Sequence, residues 1–502
     1  MSIPTTIRVP FVYVEFDESR AYSGPALLKY KVLILAERLS TGTKAVNEIS
    51  AVTSADQAAT YFGAGSVIHR MFQAWFQNNK LVEVFGQGIE EATGNKAAAS
   101  IVFTGTATAA GTVYAYIDGT TIQVAVESGD AAADVSSALA TAIIAVTSLP
   151  VTCDGTTTPG TAVVTCRTNG TVGNELDIRL NYNDGEELPA GITAVVAGSG
   201  HQATLSGGTG TPDWSSTSPL SSWGDTWFNI IIGSVKDATN MTLIETELAD
   251  RFGALRMIDG IYISSQRGTL SGLASYGNGR NSPHVIMLEN GGKLGVGGPT
   301  SSWWIAAGAG GRIATEAEID PARPFQTLQI IGALQPDITE QFTLAERNTL
   351  LYDGIATIRP SSGGAVQIER AITMYQTNAA GAADIAYLNS NTLFTLMYIR
   401  YDWRNIILTK YPRAKLANDG VMVAPGQQIM TPSVGRAEAI ARARTWEFLG
   451  LVENIDQFKQ DLVVTRSISD PDRLDFLLPP DLINQLRVVG STIQFLLESP
   501  TI

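Results

Sequence analysis

Two strand-like segments near the ends of the chain stand apart from the pattern between them, and they limit what this sequence can become. Near the start, Val9-Pro10-Phe11-Val12-Tyr13-Val14-Glu15-Phe16 is β-branched and aromatic, with Val12, Val14 and Phe16 on one face. Towards the finish, Val489, Ser491, Ile493, Phe495 and Leu497 alternate with Gln494 and Glu498 in the same two-residue period. Breakers set both apart: Tyr22-Ser23-Gly24-Pro25 follows the first and Pro479-Pro480 precedes the second. A terminal strand must pair with some sheet. If that sheet belongs to a neighbouring copy, the strand becomes a mechanical link between subunits.

The 502 residues between and including these segments suffice for several domains. Charged residues make up 16% of the chain, below the usual quarter, and 48 glycines are many. Such a weakly charged surface suits one that is covered by copies of itself. A net charge of −14 argues against a general nucleic-acid binder. The first residues, Met1 to Arg8, lack the basic and apolar regions of a secretory signal. No apolar run approaches membrane-spanning length, so direct membrane insertion is not expected.

In chain order, Lys31 to Ala36 reads as a buried strand, and Ser54-Ala55-Asp56-Gln57 as a capping box opening a helix. A second helix from Ser66 carries Ile68, Phe72, Trp75 and Phe76, and Leu81 to Phe85 returns as a strand. Strand, helix and strand make a βαβ unit. From about Ala97 to Gly207 the chain turns Ala-, Thr-, Gly- and Val-rich, with a hairpin expected over Asp118-Gly119. This reads as an inserted domain with few contacts to the body, rejoined by a flexible linker from Gly198 to Gly224. Strands at Phe228 to Ile232, Ile261 to Ile263 and Val285 to Leu288 alternate with helices, which implies a mostly parallel sheet.

Past Pro321 the pattern becomes α+β. Thr343-Leu344-Ala345-Glu346 is a second capping box, and a hairpin spans Pro360 to Gly364. Helices are predicted from Asp384 to about Leu408 and after Thr431-Pro432, the latter with Ile440, Ala443, Trp446 and Leu449 inward; Phe458 to Ile468 reads as strand. The expected fold is thus multidomain α/β and α+β: a helix-covered sheet body with an inserted β-rich domain and extended N- and C-terminal strand arms. Its divisions are an arm over 1–25, a first body part over 26–91 and an insertion over 92–207. The α/β body follows over 208–320, an α+β domain over 321–480 and a second arm over 481–502.

No catalytic constellation emerges, and neither enzyme activity nor a cofactor is expected. The three histidines, His69, His201 and His284, have no ligand spacing, and Cys153 and Cys166 flank a Pro159-Gly160 turn rather than forming a zinc motif. If that turn closes a hairpin, the thiols face each other, and reduced thiols are the expected state. The polar run Arg280-Asn281-Ser282-Pro283-His284 and the glycine runs near Gly277 and Gly291 read as loop structure. More informative is a basic bias: Ile399 to Arg444 holds eight Lys/Arg against three acids, a local +5 within an acidic chain. A solvated helix face explains it simply; an acidic partner is the sharper reading.

Several segments resemble the tail sheath proteins of Mu-like phages. Arg8 to Asp17 with Arg20-Ala21 and Ser23-Gly24 resembles their amino terminus. Glu346 to Thr357, Ile368 to Thr373, Lys410 to Leu416, Asp472 to Asp475 and Ile493-Gln494-Phe495 resemble their C-terminal part. The resemblance implies a virion tail component, assembled in the host cytoplasm, whose copies stack helically as six-fold rings around a tail tube protein. It implies baseplate and tail terminator partners, no nucleic acid, and contraction that drives the tube through a host envelope. It also implies exchanged terminal strands, here Val12, Tyr13, Val14, Glu15 and Phe16 with Ile493, Gln494, Phe495, Leu496 and Leu497. The C-terminal domain would face the tube, with Arg436, Arg442 and Arg444 as contact candidates, and the insertion would decorate the surface. A sheath of a contractile bacteriocin or secretion machine is the alternative. More distant rivals are a non-contractile self-assembling protein and an enzyme using the loop at His284.

Overall fold

The structure is a computed structural model that describes residues 28–198, 200–215, 217–293, 297–422, 424 and 426–497. The body begins with β1 (Lys31–Glu37), in which Val32 to Ala36 are apolar and fully buried. Short β2 (Ile49–Ala51), α1 (Ala55–Phe62), α2 (Val67–Asn78) and β3 (Glu83–Ile89) follow. β1 and β3 run parallel with Val32 opposite Val84, so the predicted βαβ unit forms. The capping box at Ser54 is only half made. Ser54 Oγ accepts the Gln57 N–H at 3.1 Å, but Gln57 Oε1 turns to the Thr53 N–H at 2.7 Å.

The insertion comprises β4 (Lys96–Gly105), β5 (Gly111–Ile117), β6 (Thr120–Val126), α3 (Ala132–Ala145), β7 (Val151–Asp154), β8 (Thr161–Asn169), β9 (Asp177–Leu180), β10 (Ile192–Val196) and β11 (Gln202–Thr204). They form two four-stranded sheets, ordered β10-β4-β8-β7 and β11-β9-β5-β6. Asp118 and Gly119 both take positive φ, 49° and 71°, as a two-residue hairpin loop demands. The β7–β8 register differs from the one predicted. Cys153 lies opposite Val164 and Cys166 opposite Val151, so the thiols do not face each other. The Asp154 carboxylate accepts the N–H groups of Thr156 and Thr157, which lengthens the turn on one side and shifts the pairing. Both cysteines are free, and burial pushes each thiol up to about 12.

The body resumes with β12 (Ile230–Gly233), α4 (Ala238–Phe252), β13 (Ile261–Gln266), α5 (Leu270–Asn278), β14 (Val285–Glu289) and α6 (Ser302–Ile319). The sheet order is β14-β13-β12-β1-β3-β2, parallel except for edge strand β2. Side-chain alternation splits its core in two. Val32 and Ile34 join Phe62, Phe72, Trp75 and Ile313 beneath α1, α2 and α6. Leu33 and Leu35 join Met241, Ile244, Leu248 and Leu273 beneath α4 and α5.

The first of these cores does not stop at the insertion: Ile101, Phe103, Val113, Leu139, Leu176 and Ile178 belong to the same cluster. Buried polar contacts reinforce the junction. Arg70 pairs with Asp118 at 2.8 Å, Asp118 also accepts the Ser301 N–H at 2.8 Å, and Arg179 donates to the Gly297 carbonyl at 2.9 Å. The expected linker is laid down rather than slack, since the Thr171 N–H donates to Gly210 O at 2.9 Å and the Asn95 N–H to Thr209 Oγ1 at 3.0 Å. A small, weakly charged composition here marks close backbone approach, not looseness.

The remainder contains α7 (Leu344–Tyr352), β15 (Thr357–Pro360), β16 (Val366–Arg370), α8 (Ser390–Lys410), β17 (Lys415–Leu416), β18 (Ile429–Met430), α9 (Pro432–Phe448), β19 (Val452–Glu453), α10 (Ile455–Asp461), β20 (Val463–Arg466), β21 (Leu474–Leu477) and β22 (Asp481–Leu482). At α7 the capping box is complete, with Thr343 and Glu346 bonding reciprocally. Thr343→Ala should therefore cost about 1 kcal/mol, read as a lower urea midpoint. Three expectations change here. α8 starts at Ser390 because the Asp384 carboxylate instead accepts the Tyr375 hydroxyl and the Ala386 N–H. Ile455, Phe458 and Leu462 recur at three- and four-residue spacing against Trp446, so Phe458 sits in a helix, not a strand. Leu449, past the end of α9, is 44% exposed rather than inward.

Candidate functional site

In doubly wound folds a ligand usually sits at the carboxyl ends of the strands, where the sheet order reverses. Here that place, beyond β1 and β12, is a cavity of 430 Å³ lined by Glu37, Glu175, Ser234, Lys236, Gln266 and Tyr276 among others. Its polar groups face one another. The Lys236 ammonium pairs with Glu175 from the insertion and donates to Ser302 Oγ at 2.6 Å and Ser265 O at 3.0 Å. Ser234 Oγ donates to Glu37 at 2.7 Å, and desolvation holds the Glu37 carboxyl above its ordinary range. The crevice thus fastens the insertion to the body.

The polar loop near His284 is likewise spent on structure. Arg280 pairs with Glu245 at 2.9 Å, and Asn281 Nδ2 donates to Thr377 O at 2.7 Å. The His284 ring lies 5.0 Å from that of Phe252, and burial lowers its pKa to about 4. His69 is lowered to about 4 in the same way, its Nδ1 accepting the Gly65 N–H at 3.1 Å. Gly277 in the neighbouring run allows a close approach: a Cβ there would stand 1.9 Å from Asp353 O. Among the described residues no group of three His, Cys, Asp or Glu side chains could hold a metal, and no helix is long and apolar enough to cross a membrane.

Of the terminal segments, Val12, Tyr13, Val14, Glu15 and Phe16 lie outside the described residues. The C-terminal segment leaves the body later than its double proline indicates. β22 still pairs with β19, Leu482 opposite Val452, and the Ile483 N–H donates to Leu451 O at 3.1 Å. The last anchored side chain is Arg487, whose Nη2 donates to Asn391 Oδ1 at 2.9 Å. Residues 488–497 then form no strand or helix and no hydrogen bond among the described residues. Ile493 is 88% exposed, Phe495 78% and Leu497 85%; Gln494 and Leu496 are exposed too.

The three proposed tube-contacting arginines separate. Arg442 is buried and pairs with buried Asp402, which also accepts the Trp446 Nε1–H at 2.7 Å. Arg436 turns its guanidinium onto the carbonyls of Leu462 and Lys459. Arg444 alone is exposed. Two more of the basic set are paired internally, Arg400 with Asp259 at 2.5 Å and Lys410 with Glu438 at 2.7 Å. Arg404, Arg413, Lys415 and Arg444 are exposed and make no ion pair among the described residues. The buried Asp402 was the missed residue; set between Arg400 and Arg404, it reads in sequence as one more charge of a mixed run.

The phage tail sheath protein central domain model matches residues 207–374, and the phage tail sheath C-terminal domain model matches residues 382–495. The Mu-like prophage FluMu tail sheath protein of Haemophilus influenzae is 38% identical over 497 residues, 99% of each chain. Among solved structures, a chain of the anti-feeding prophage baseplate in its contracted state is 9% identical with a TM-score of 0.51, covering 97% of this chain and 99% of that one. The sheath tail protein of Desulfitobacterium hafniense is 14% identical with a TM-score of 0.48, over 94% of this chain and all of that one. On the two domain matches and the full-length identity, this chain belongs to the phage tail sheath protein family, with a Mu-like prophage sheath as its relative.

Proposed function

We propose that this chain is the structural subunit of a contractile tail sheath, polymerising around a tail tube through terminal strands donated between copies. Contraction then shortens the lattice and drives the tube through a host envelope, with baseplate and terminator proteins at its two ends. The observation that carries this reading is residues 488–497, apolar in alternation from Val489 and without a hydrogen bond to the body among the described residues.

Magnitudes suit reversible assembly. Burying Val12, Val14 and Phe16 on a neighbouring sheet gives roughly 5–8 kcal/mol in gross terms. About five new strand hydrogen bonds add around 1 kcal/mol each. Ordering six or seven residues costs roughly 1–2 kcal/mol apiece. One arm is near balance alone, whereas several held at once are strongly favourable. A monomer therefore stays dispersed until a tube or baseplate nucleates it, and contraction is a rigid-body change between lattice packings with the arms as hinges. Exposed Arg404, Arg413, Lys415 and Arg444 are the remaining candidates for a screened contact with an acidic tube.

The test is truncation. Removing residues 488–502, or residues 1–20, should leave a monomer with the melting temperature of the full chain that forms no tubular polymer in electron micrographs. Cutting at Pro480 instead removes Leu482 from its cluster and confuses lost assembly with lost folding. Ordinary sheaths formed by either shortened chain would refute strand donation.

A further inference from the structure

One ion pair at the junction between insertion and body brings together the reactants of an amide. Lys236, between β12 and α4, reaches Glu175, between β8 and β9, and the two side chains are 16% and 12% exposed. Charges so far from solvent have lost most of their hydration, and mutual attraction offsets that loss poorly. The surroundings disfavour the ammonium: burial lowers the Lys236 pKa against the pull of Glu175, and Arg267 acts in the same direction as burial. The amine is also aimed. It donates to Ser302 Oγ at 2.6 Å and to Ser265 O at 3.0 Å, and Ser302, the first residue of α6, donates in turn to Glu175 Oε2. Lys236 Nζ contacts Oε1 of the same carboxylate, so the carboxyl carbon is one bond beyond a contact already made. Separate stretches of chain thus hold one amine, one carboxyl and one hydroxyl that bridges them.

We propose that Lys236 and Glu175 condense in the folded chain to an amide that cross-links the insertion to the body, with Ser302 as the proton relay. The ammonium gives one proton through the Ser302 hydroxyl to Glu175 Oε2, which leaves a neutral amine against a neutral acid. Nζ then attacks the carboxyl carbon and a C–N bond forms. A second proton from the nitrogen follows the same route, and the Cδ–Oε2 bond breaks to release one water. Oε1 remains as the amide carbonyl, and no oxidant, reductant or co-reactant is needed. Two effects favour the product. Fixing both groups in one orientation raises their effective concentration far above that of a free amine and acid. The amide also removes two charges from a place where each is costly. The water has a way out, because Lys236 and Glu175 both line the 430 Å³ cavity beyond β1 and β12. The bond closes the chain between 175 and 236 and makes one side of the junction permanent. It stands apart from strand donation, which concerns contacts between copies.

The test is the intact mass of the purified full chain under denaturing conditions, followed by peptide mapping. The expected mass is lower than that of the sequence by one water, with the peptide containing Lys236 joined to the one containing Glu175 and trypsin unable to cut at Lys236. That branched peptide identifies the bond in the unaltered chain, whether or not a variant folds. Lys236→Arg keeps a cation beside Glu175 and should restore the full mass, as should Glu175→Ala. Ser302→Ala keeps both reactants and should slow the loss of water about tenfold or more in a time course of newly synthesised protein. The full sequence mass in the unaltered chain, from monomer and from assembled polymer alike, would overturn the proposal. So would a loss of water that persists in Lys236→Arg, since it would then arise elsewhere in the chain. An unchanged rate in Ser302→Ala would overturn the relay.

Discussion

Replacing residues 96–206 by a short flexible linker is expected to destroy the body rather than trim a decoration. The sequence reading pointed the other way, to an inserted domain with few contacts to the body. Its apolar residues are continuous with those beneath α1, α2 and α6, so deletion opens that core. It also strands ions. Arg70 stacks on Trp304 at 4.6 Å and pairs with Asp118, and Lys236 pairs with Glu175; in both, the acid comes from the insertion. Removing one partner of a buried pair costs about 3–5 kcal/mol, against a whole-domain stability of about 5–15 kcal/mol. Two such losses with an opened core exceed what the body can hold. The deleted protein should be insoluble or lack a cooperative unfolding transition. The single change Asp118→Ala should lower stability by about 3–5 kcal/mol in urea titration. A soluble deletion variant with a full-amplitude transition would show that the insertion is an independent appendage after all.

Charge reversal on α9 should divide sharply by position. Arg442→Glu sets a second carboxylate against Asp402 in a buried site and leaves the Trp446 indole sharing its acceptor. The expected loss is at least about 3–5 kcal/mol, with melting of the cluster around Ala439, Ala443 and Trp446. Arg444→Glu, two residues away on the exposed side, should change stability by less than about 0.5 kcal/mol. Tube contact can therefore be probed only through exposed cations such as Arg444, Arg404 and Arg413. Equal stability of both variants in thermal and urea unfolding would mean that the Asp402–Arg442 pair is not the fixed point of this domain.

What the residues disclosed beforehand was whatever depends on near neighbours. The Asp118-Gly119 turn and the Thr343 box rest on contacts within a few positions and formed as read, as did the strand marked by the unbroken apolar run of β1. The register of β7 against β8 turned on how Asp154 bonds its own loop, which a count of residues to a Pro-Gly pair does not capture. Phe458 was misassigned because a short apolar stretch fits a strand until its true period, three and four, is set against Trp446. Arg442 looked like a solvated cation because its acid lies 40 positions away on another helix. The fastening of the insertion was hidden for the same reason: Arg70 and Asp118 are 48 residues apart, and no local pattern joins them. Long-range ion pairs inside a weakly charged chain are visible only in three dimensions.

Electron cryomicroscopy of polymer assembled from the full chain tests strand donation most directly, through the position of residues 489–497 in the helical reconstruction. The expected result is an extended segment hydrogen-bonded to the body or arm of a neighbouring copy, with Ile493, Phe495 and Leu497 buried against it. A reconstruction in which that segment folds back on its own body, or in which copies touch only through their globular parts, would contradict it.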